Sequence, residues 1–237
     1  MQIAEIEQEL KKTLLEHGAS LVGFGDLSGI VAGDMACGVS VAIAIPPEVI
    51  CGIANGPTMD YYREYYRIND LLDDAVTAGA EYLKKNGYKA NAMTHDSVVE
   101  TDGYRTALPY KTVATRAGIG WIGKCALLVT KEYGSAVRLS ALLTNAPLTC
   151  AEPVNESHCG NCLECAKACP GGAVSGRLWN VGMDREEFFH AEDCRRAARM
   201  LAKEKLSKEI TLCGKCVFVC PYTKKYIMNS HAEGCER

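Results

Sequence analysis

The feature that most constrains this chain is a run of cysteines, Cys159, Cys162, Cys165 and Cys169, spaced C-x2-C-x2-C-x3-C and followed at once by Pro170. This spacing binds a [4Fe-4S] cubane: three cysteines on one tight loop reach three irons, while the fourth points away to a second cluster. Cys213, Cys216 and Cys220-Pro221 repeat the C-x2-C-x3-C-P half of the pattern, and Cys194, 19 residues before Cys213, can supply the missing ligand. The crossing rule then assigns Cys159, Cys162, Cys165 and Cys220 to one cluster and Cys169, Cys194, Cys213 and Cys216 to the other. Zinc also favours C-x2-C pairs, but it takes two pairs per site and calls for neither the third cysteine nor the trailing proline.

Thirteen cysteines in 237 residues would suggest an oxidising compartment only if a secretory signal accompanied them. The first 18 residues are amphipathic and charged, without the apolar core of a signal peptide. The longest apolar stretch, Gly38 to Pro46, is far too short to span a bilayer. A cytoplasmic protein without a membrane segment is expected, in which so many thiols point to metal or redox chemistry. A hydrophobic content of 48% excludes a disordered chain, and a formal net charge of -3 gives no global reason to expect nucleic acid.

Apolar positions Ile3, Ile6, Leu10, Leu14 and Leu15 predict a first helix stopped by Gly18. Leu21 to Phe24 and Val39 to Ile45 read as buried strands, Thr58 to Asn86 as a long helix, and Tyr88 to Met93 as a return to the sheet. Ala107 to Ala117 is helical in pattern and runs into GIGWIG at 118–123. Cys125 to Thr130 and Ala136 to Leu143 flank Glu132-Tyr133-Gly134-Ser135 in the manner of a β-hairpin. The first half is thus mixed α and β, and the composition shifts at residue 150, after which nine of the thirteen cysteines fall. Domains at 1–150 and 151–237 are expected, the second a bacterial-type double [4Fe-4S] ferredoxin-like domain and the whole an α+β protein. The glycine run follows a helix and leads into a strand, the reverse of the dinucleotide-binding context, so NAD is not expected there. Cys37, Cys51, Cys125, Cys150 and Cys235 read as small buried hydrophobes, with Cys125 set apart because it follows the glycine-rich loop.

About 150 residues precede the cluster segment, and a one-electron wire needs something at its far end. Thr115 to Leu128 (TRAGIGWIGKCALL), Cys159 to Ala173 (CGNCLECAKACPGGA) and Cys213 to Pro221 (CGKCVFVCP), in that order, resemble the epoxyqueuosine reductase family and, more distantly, the reductive dehalogenases. Weaker similarity at Gly18 to Phe24 and Tyr61 to Leu72 extends the likeness over most of the chain. The resemblance implies a nitroreductase-like α/β domain carrying base-off cobalamin, with two [4Fe-4S] clusters feeding electrons to the cobalt. It also implies a corrinoid loop at Gly118, Gly120, Trp121, Gly123, Lys124 and Cys125, where glycines let a flat macrocycle lie against backbone. A tight turn joining helix and strand is the plainer reading of the same residues.

Three departures from the family stand in the sequence. The tRNA-modifying members carry a C-terminal helical-repeat domain, whereas this chain ends 17 residues beyond Cys220, so tRNA is not an expected partner. The family's aspartate proton donor falls at Tyr104 by a gapless count back from Gly118, with Asp102 two residues away. The residue after Lys124, usually asparagine in the family, is Cys125. Tyr104 and Asp102 are the candidate general acids, because a phenol or a carboxylic acid can protonate a developing carbanion or alkoxide. His95 beside Asp96 is a candidate acid–base pair, and His158 beside Cys159 a candidate hydrogen-bond partner of a cluster.

Arg195, Arg199 and Lys203 recur at four-residue spacing in a basic segment, a dock for an acidic electron donor such as flavodoxin or ferredoxin, or simply a solvated face. The expected function is that of an iron–sulfur oxidoreductase passing low-potential electrons through two clusters to a corrinoid or small-molecule acceptor. The alternatives are an electron-delivery module that reduces a centre on a partner protein, and a cobalamin-free reductase using Cys125 as ligand or nucleophile.

Overall fold

The computed structural model describes residues 2–230 and 235. The described residues form two compact units, neither a continuous stretch: one comprises residues 2–44, 67–120 and 138–154, the other 45–66, 121–137, 155–230 and 235.

The first unit is built on a four-stranded sheet. Strands β1 (Leu21–Asp26), β2 (Cys37–Ala44), β6 (Val137–Thr144) and β3 (Ala90–Met93) lie side by side in the order β1-β2-β6-β3. β1 and β2 are antiparallel in the register Leu21↔Ala42 to Asp26↔Cys37, and β3 and β6 are antiparallel from Ala90↔Thr144 to Met93↔Ala141. Branched residues at Val39, Val41 and Ile43 suit the pleated, buried surface of β2, whose first seven residues are all buried. Helix α1 (Ile3–Glu16) turns Ile6, Leu10 and Leu14 inward, one residue per helical turn. Helix α3 (Met59–Lys85) contributes Ile68, Leu72, Val76 and Leu83, all fully buried, and Lys84 and Lys85 in its last turn complement the helix dipole.

Helix α4 (Tyr110–Arg116) packs on β1 and β2 and ends on a glycine for a specific reason. Ile119 N–H donates to Ala114 O at 3.2 Å and Gly118 N–H to Thr115 O at 3.2 Å, the paired bonds of a Schellman stop. Gly118 sits at φ +68 in that motif, a region where an L side chain is strained. The first glycine of the unusual run is therefore used to end a helix.

The second unit is assembled from short pieces: α2 (Pro47–Cys51), the first turns of α3, β4 (Trp121–Ile122), β5 (Leu128–Val129), α5 (Glu164–Ala168), α6 (Ala191–Leu206), α7 (Lys215–Phe218) and α8 (Pro221–Asn229). The hairpin expected between 125–130 and 136–143 is replaced by a different pairing. β5 pairs with β4, in the register Trp121↔Val129 and Ile122↔Leu128, while β6 joins the sheet of the first unit. The polar Glu132–Ser135 stretch does turn, with Thr130 and Gly134 exchanging backbone bonds at 2.9 and 3.1 Å, but that turn ends β5 rather than pairing it with β6. A small core of Ile122, Ala126, Trp179 and Phe188 backs the β4–β5 hairpin. No helix among the described residues is long and apolar enough to cross a membrane.

Candidate metal centre

The β4–β5 hairpin is closed by Gly123 N–H donating to Leu127 O at 2.9 Å, with Ala126 N–H donating back to Gly123 O at 2.8 Å. Ala126 takes φ +61, so the three-residue loop ends in the left-handed residue that this loop length requires. The two residues left at the turn's apex are Lys124 and Cys125, and both point into protein: Lys124 is 4% exposed and Cys125 6%. Gly123 makes this possible, because a Cβ there would lie 2.7 Å from a Val129 methyl and 3.6 Å from Cys159 Sγ.

The apex borders a cavity of about 410 Å3, its open mouth included, lined by Cys159, Cys162, Cys165, Cys216 and Cys220 with Lys124, Cys125, Val129, Pro221 and Tyr222. Local structure aims each cysteine. Cys162 N–H turns back onto Cys159 O at 3.2 Å, Cys165 lies in the first turn of α5, Cys216 in α7, and Cys220 caps α8 ahead of Pro221, which sits where a helix tolerates proline. Lys124 Nζ donates to Cys162 O at 2.9 Å, holding the cysteine loop to the hairpin. Cys125 lines the same cavity wall as Cys165 and Cys216.

Cys194 and Cys213 lie near enough to Cys169 for its charge to act on both. Burial first, then Cys169 and Cys213, push the Cys194 thiol up to about 11, and burial first, with Cys169 adding, raises Cys213. Contact with Cys125 first, then burial, also raises Cys165. Such thiols must lose their protons to bind iron, and the metal supplies the positive charge that makes this favourable. Ala173 N–H donates to Cys169 Sγ at 3.3 Å, the kind of bond that stabilises a thiolate.

The donor set suits a cubane better than a single ion. Among the described residues no three His, Cys, Asp or Glu side chains converge as one metal ion requires; tetrahedral zinc would bring its sulfurs within roughly 3.8 Å of one another. A cubane binds each thiolate through a different iron, so it needs a cavity ringed by sulfur, and this cavity is lined by the four cysteines of one expected set, Cys159, Cys162, Cys165 and Cys220, together with Cys216 of the other. Trp121 Nε1 and Ser157 Oγ, flanking the His158-Cys159 pair, are buried without a partner and remain available as donors. His158 itself stacks on Trp121, with ring centroids 5.0 Å apart, rather than on a cysteine.

Other sequence candidates fall elsewhere. Asp102 and Tyr104 lie in the first unit, in a tight turn closed by Thr101 N–H to Arg105 O at 2.7 Å. Tyr104 takes φ +58 and is 40% exposed, a left-handed conformation in which a bulky residue is rare. Gly118 and Gly120 belong to the first unit, whereas Trp121, Gly123, Lys124 and Cys125 belong to the unit with the motif cysteines. His95 pairs not with Asp96 but with Asp73 on α3, through Nδ1 to Oδ1 at 2.9 Å and through its own N–H at 3.0 Å. Adjacent residues in a 3-10 turn point apart, whereas Asp73 reaches across from a neighbouring element. Of the cysteines read as buried hydrophobes, Cys37 is buried with its Sγ 3.8 Å from that of the half-buried Cys150, and Cys51 is joined to Cys235 in a disulfide. On α6, Arg196 pairs with Asp193 and Lys203 with Glu209, so the basic face is partly neutralised.

Comparison with known proteins places this arrangement in a class first. Residues 158–223 match the 4Fe-4S double cluster binding domain, so the two-cluster motif read from the sequence is shared with a defined iron–sulfur family. The chain is related more specifically to the epoxyqueuosine reductases. It is 36% identical over 127 residues to that of Listeria monocytogenes, covering 51% of this chain and 31% of the relative, and 31% identical over 181 residues to that of Bacillus subtilis, covering 73% and 41%. The chain thus spans between about a third and two fifths of these relatives' length. Its fold is shared with an epoxyqueuosine reductase crystallised with an epoxyqueuosine-modified tRNA-Tyr stem loop (TM-score 0.62, 21% identity, 94% of this chain and 66% of that one). It is shared also with a catabolic reductive dehalogenase bound to 3-bromo-4-hydroxybenzoic acid (TM-score 0.67, 15% identity, 90% and 31%). A further reductive dehalogenase, whose structure suggests a mechanism for B12-dependent dehalogenation, matches with TM-score 0.67 at 16% identity, covering 93% and 33%.

Proposed function

We propose that the chain is an iron–sulfur oxidoreductase that holds two [4Fe-4S] clusters and delivers low-potential electrons to an acceptor in its α/β unit. The observation that carries this reading is that Cys159, Cys162, Cys165 and Cys220, the four cysteines the crossing rule assigns to one cluster, line one cavity, with Cys216 of the other set also at its wall. Four thiolates from Cys159, Cys162, Cys165 and Cys220 would hold the first cluster, and Cys169, Cys194, Cys213 and Cys216 the second. When bound, the clusters supply one-electron transfer at low potential. The residues of the chain hold the ligand loops in place and bring a cation, Lys124, to the cavity wall.

The acceptor in this proposal is a corrinoid, bound in a nitroreductase-like domain; the fold shared with a B12-dependent dehalogenase supports it. Tyr104 is the proton donor, with Asp102 beside it, and its strained backbone is the kind of outlier found at functional turns. An acidic carrier docks on α6 at Arg195, Arg199 and Lys203, next to the ligand Cys194. One observation favours a second reading, a reductase without cobalamin. Gly118 ends α4, Trp121 stacks on His158, and Lys124 and Cys125 line the cysteine cavity, which engages four of the six residues assigned to a corrinoid loop.

The test is anaerobic purification with iron, sulfide and cobalt analysis, and absorption spectra before and after adding cobalamin. About eight irons per chain with retained base-off corrinoid supports the proposal. Eight irons with no retained cobalt selects the second reading, and a chain without iron refutes both.

A further inference from the structure

Trp121 carries a buried donor that nothing among the described residues accepts: the residue is 2% exposed, and its indole Nε1 is without a partner. An indole nitrogen can only donate, and native structures rarely leave such a group buried and unpaired. The surroundings of the ring point to the missing acceptor. It stacks on His158, the residue before Cys159, and meets Tyr222, two residues after Cys220, edge-on, with centroids 5.0 Å apart in both pairs. In the β4–β5 hairpin Trp121 lies directly opposite Val129, and residues directly opposite share a face of the pair. Val129 and Tyr222 both line the cysteine cavity, and a Cβ at Gly123, two residues on from Trp121, would stand 3.6 Å from Cys159 Sγ. The indole is thus wedged beside two ligands, Cys159 and Cys220, that the crossing rule gives to the same cluster.

We infer that the Trp121 indole N–H donates a hydrogen bond to a sulfur of the cluster held by Cys159, Cys162, Cys165 and Cys220, and raises the reduction potential of that cluster. The inference rests on the two-cluster reading above. A bound cluster brings thiolate and sulfide sulfurs, which accept and do not donate, to a donor that lacks an acceptor. Hydrogen bonds to those sulfurs stabilise the more negative, reduced state, so losing one lowers the potential. The acceptor is charged and away from water, where such bonds are strongest. An indole keeps its proton throughout, so the bond needs no particular protonation state. Because both ligands beside the ring belong to one set, one cluster responds and the other does not.

The experiment uses the full chain with its clusters loaded anaerobically, grown on tryptophan that carries the heavy nitrogen isotope at the indole position. The chain has two tryptophans, so in Trp179→Phe the only labelled atom left is Trp121 Nε1. The expected result is a weak coupling to the labelled nitrogen in pulsed EPR of the reduced protein, present in wild type and Trp179→Phe and absent from Trp121→Phe. Redox titration of Trp121→Phe, whose ring still stacks but cannot donate, should give full iron and one midpoint lower by about 59 mV, a tenfold change in the one-electron equilibrium, with the other unmoved. No coupling in the wild-type protein overturns the inference, and a buried water then takes the indole proton. Unmoved midpoints in an iron-replete Trp121→Phe overturn it as well, as does coupling lost from an iron-replete Trp179→Phe. If Trp121→Phe does not load iron, the coupling in wild type and Trp179→Phe decides, its presence upholding the bond and its absence overturning it. A wild-type chain lacking about eight irons defeats instead the reading on which the inference rests.

Discussion

Replacing Lys124 by methionine keeps the length of the side chain and removes one charge and one hydrogen bond. Both losses can be sized. Lys124 Nζ lies against Cys162 O at 2.9 Å with the residue 4% exposed, so the variant leaves a buried carbonyl without its donor, which costs about 1–3 kcal/mol. For a cation at a separation on the order of 8 Å from the added charge and an effective dielectric near 20, the interaction with one added electron is about 2 kcal/mol. For a one-electron couple that is a fall of roughly 85 mV in the midpoint. The expected result is therefore a cluster that still assembles but is harder to reduce, in a protein that melts a few degrees earlier. Anaerobic redox titration followed by EPR reads the first quantity, and a thermal melt of the loaded protein reads the second. Lys124→Arg, which keeps the charge, should hold the midpoint near wild type. A methionine variant with full iron and an unmoved midpoint would refute the electrostatic argument, leaving Lys124 as a structural tie alone.

Cys162→Ser should lose about four irons per chain and destabilise the second unit, because ligand binding and folding are coupled; unchanged iron in the purified variant contradicts the ligand assignment. Tyr104→Phe should keep both clusters and slow turnover by roughly 100-fold, read by single-turnover reduction of the acceptor once that is identified. Unaltered turnover would reduce Tyr104 to a strained turn residue.

Local pattern carried much of the fold. The helices at Ile3–Glu16, Met59–Lys85 and Tyr110–Arg116 and the strands of the first unit lie close to where periodicity and glycine stops place them, because each buries one face against its neighbours. The cysteine spacing likewise announced the cluster motif. What the local pattern missed depends on long-range contact. Leu128–Val129 and Val137–Thr144 are both apolar, and nothing in either says that one pairs backward with Trp121–Ile122 while the other enters a sheet. His95 finds Asp73 from 22 residues away, and the step in composition at residue 150 does not reveal that 45–66 and 121–137 pack with the cysteine-rich segment. Cys125 looked like part of a glycine-rich loop, and only the turn geometry shows it facing the ligands.

The helices that present cluster ligands are very short, five residues for α5 and four for α7. Helices below roughly 12 residues do not persist alone in water, so α5 and α7 hold their shape by packing on one another, and the clusters proposed above would add to that hold. Loss of iron is then expected to loosen the ligand segments and make them easier to cut, which limited proteolysis of the loaded and the iron-stripped protein reads.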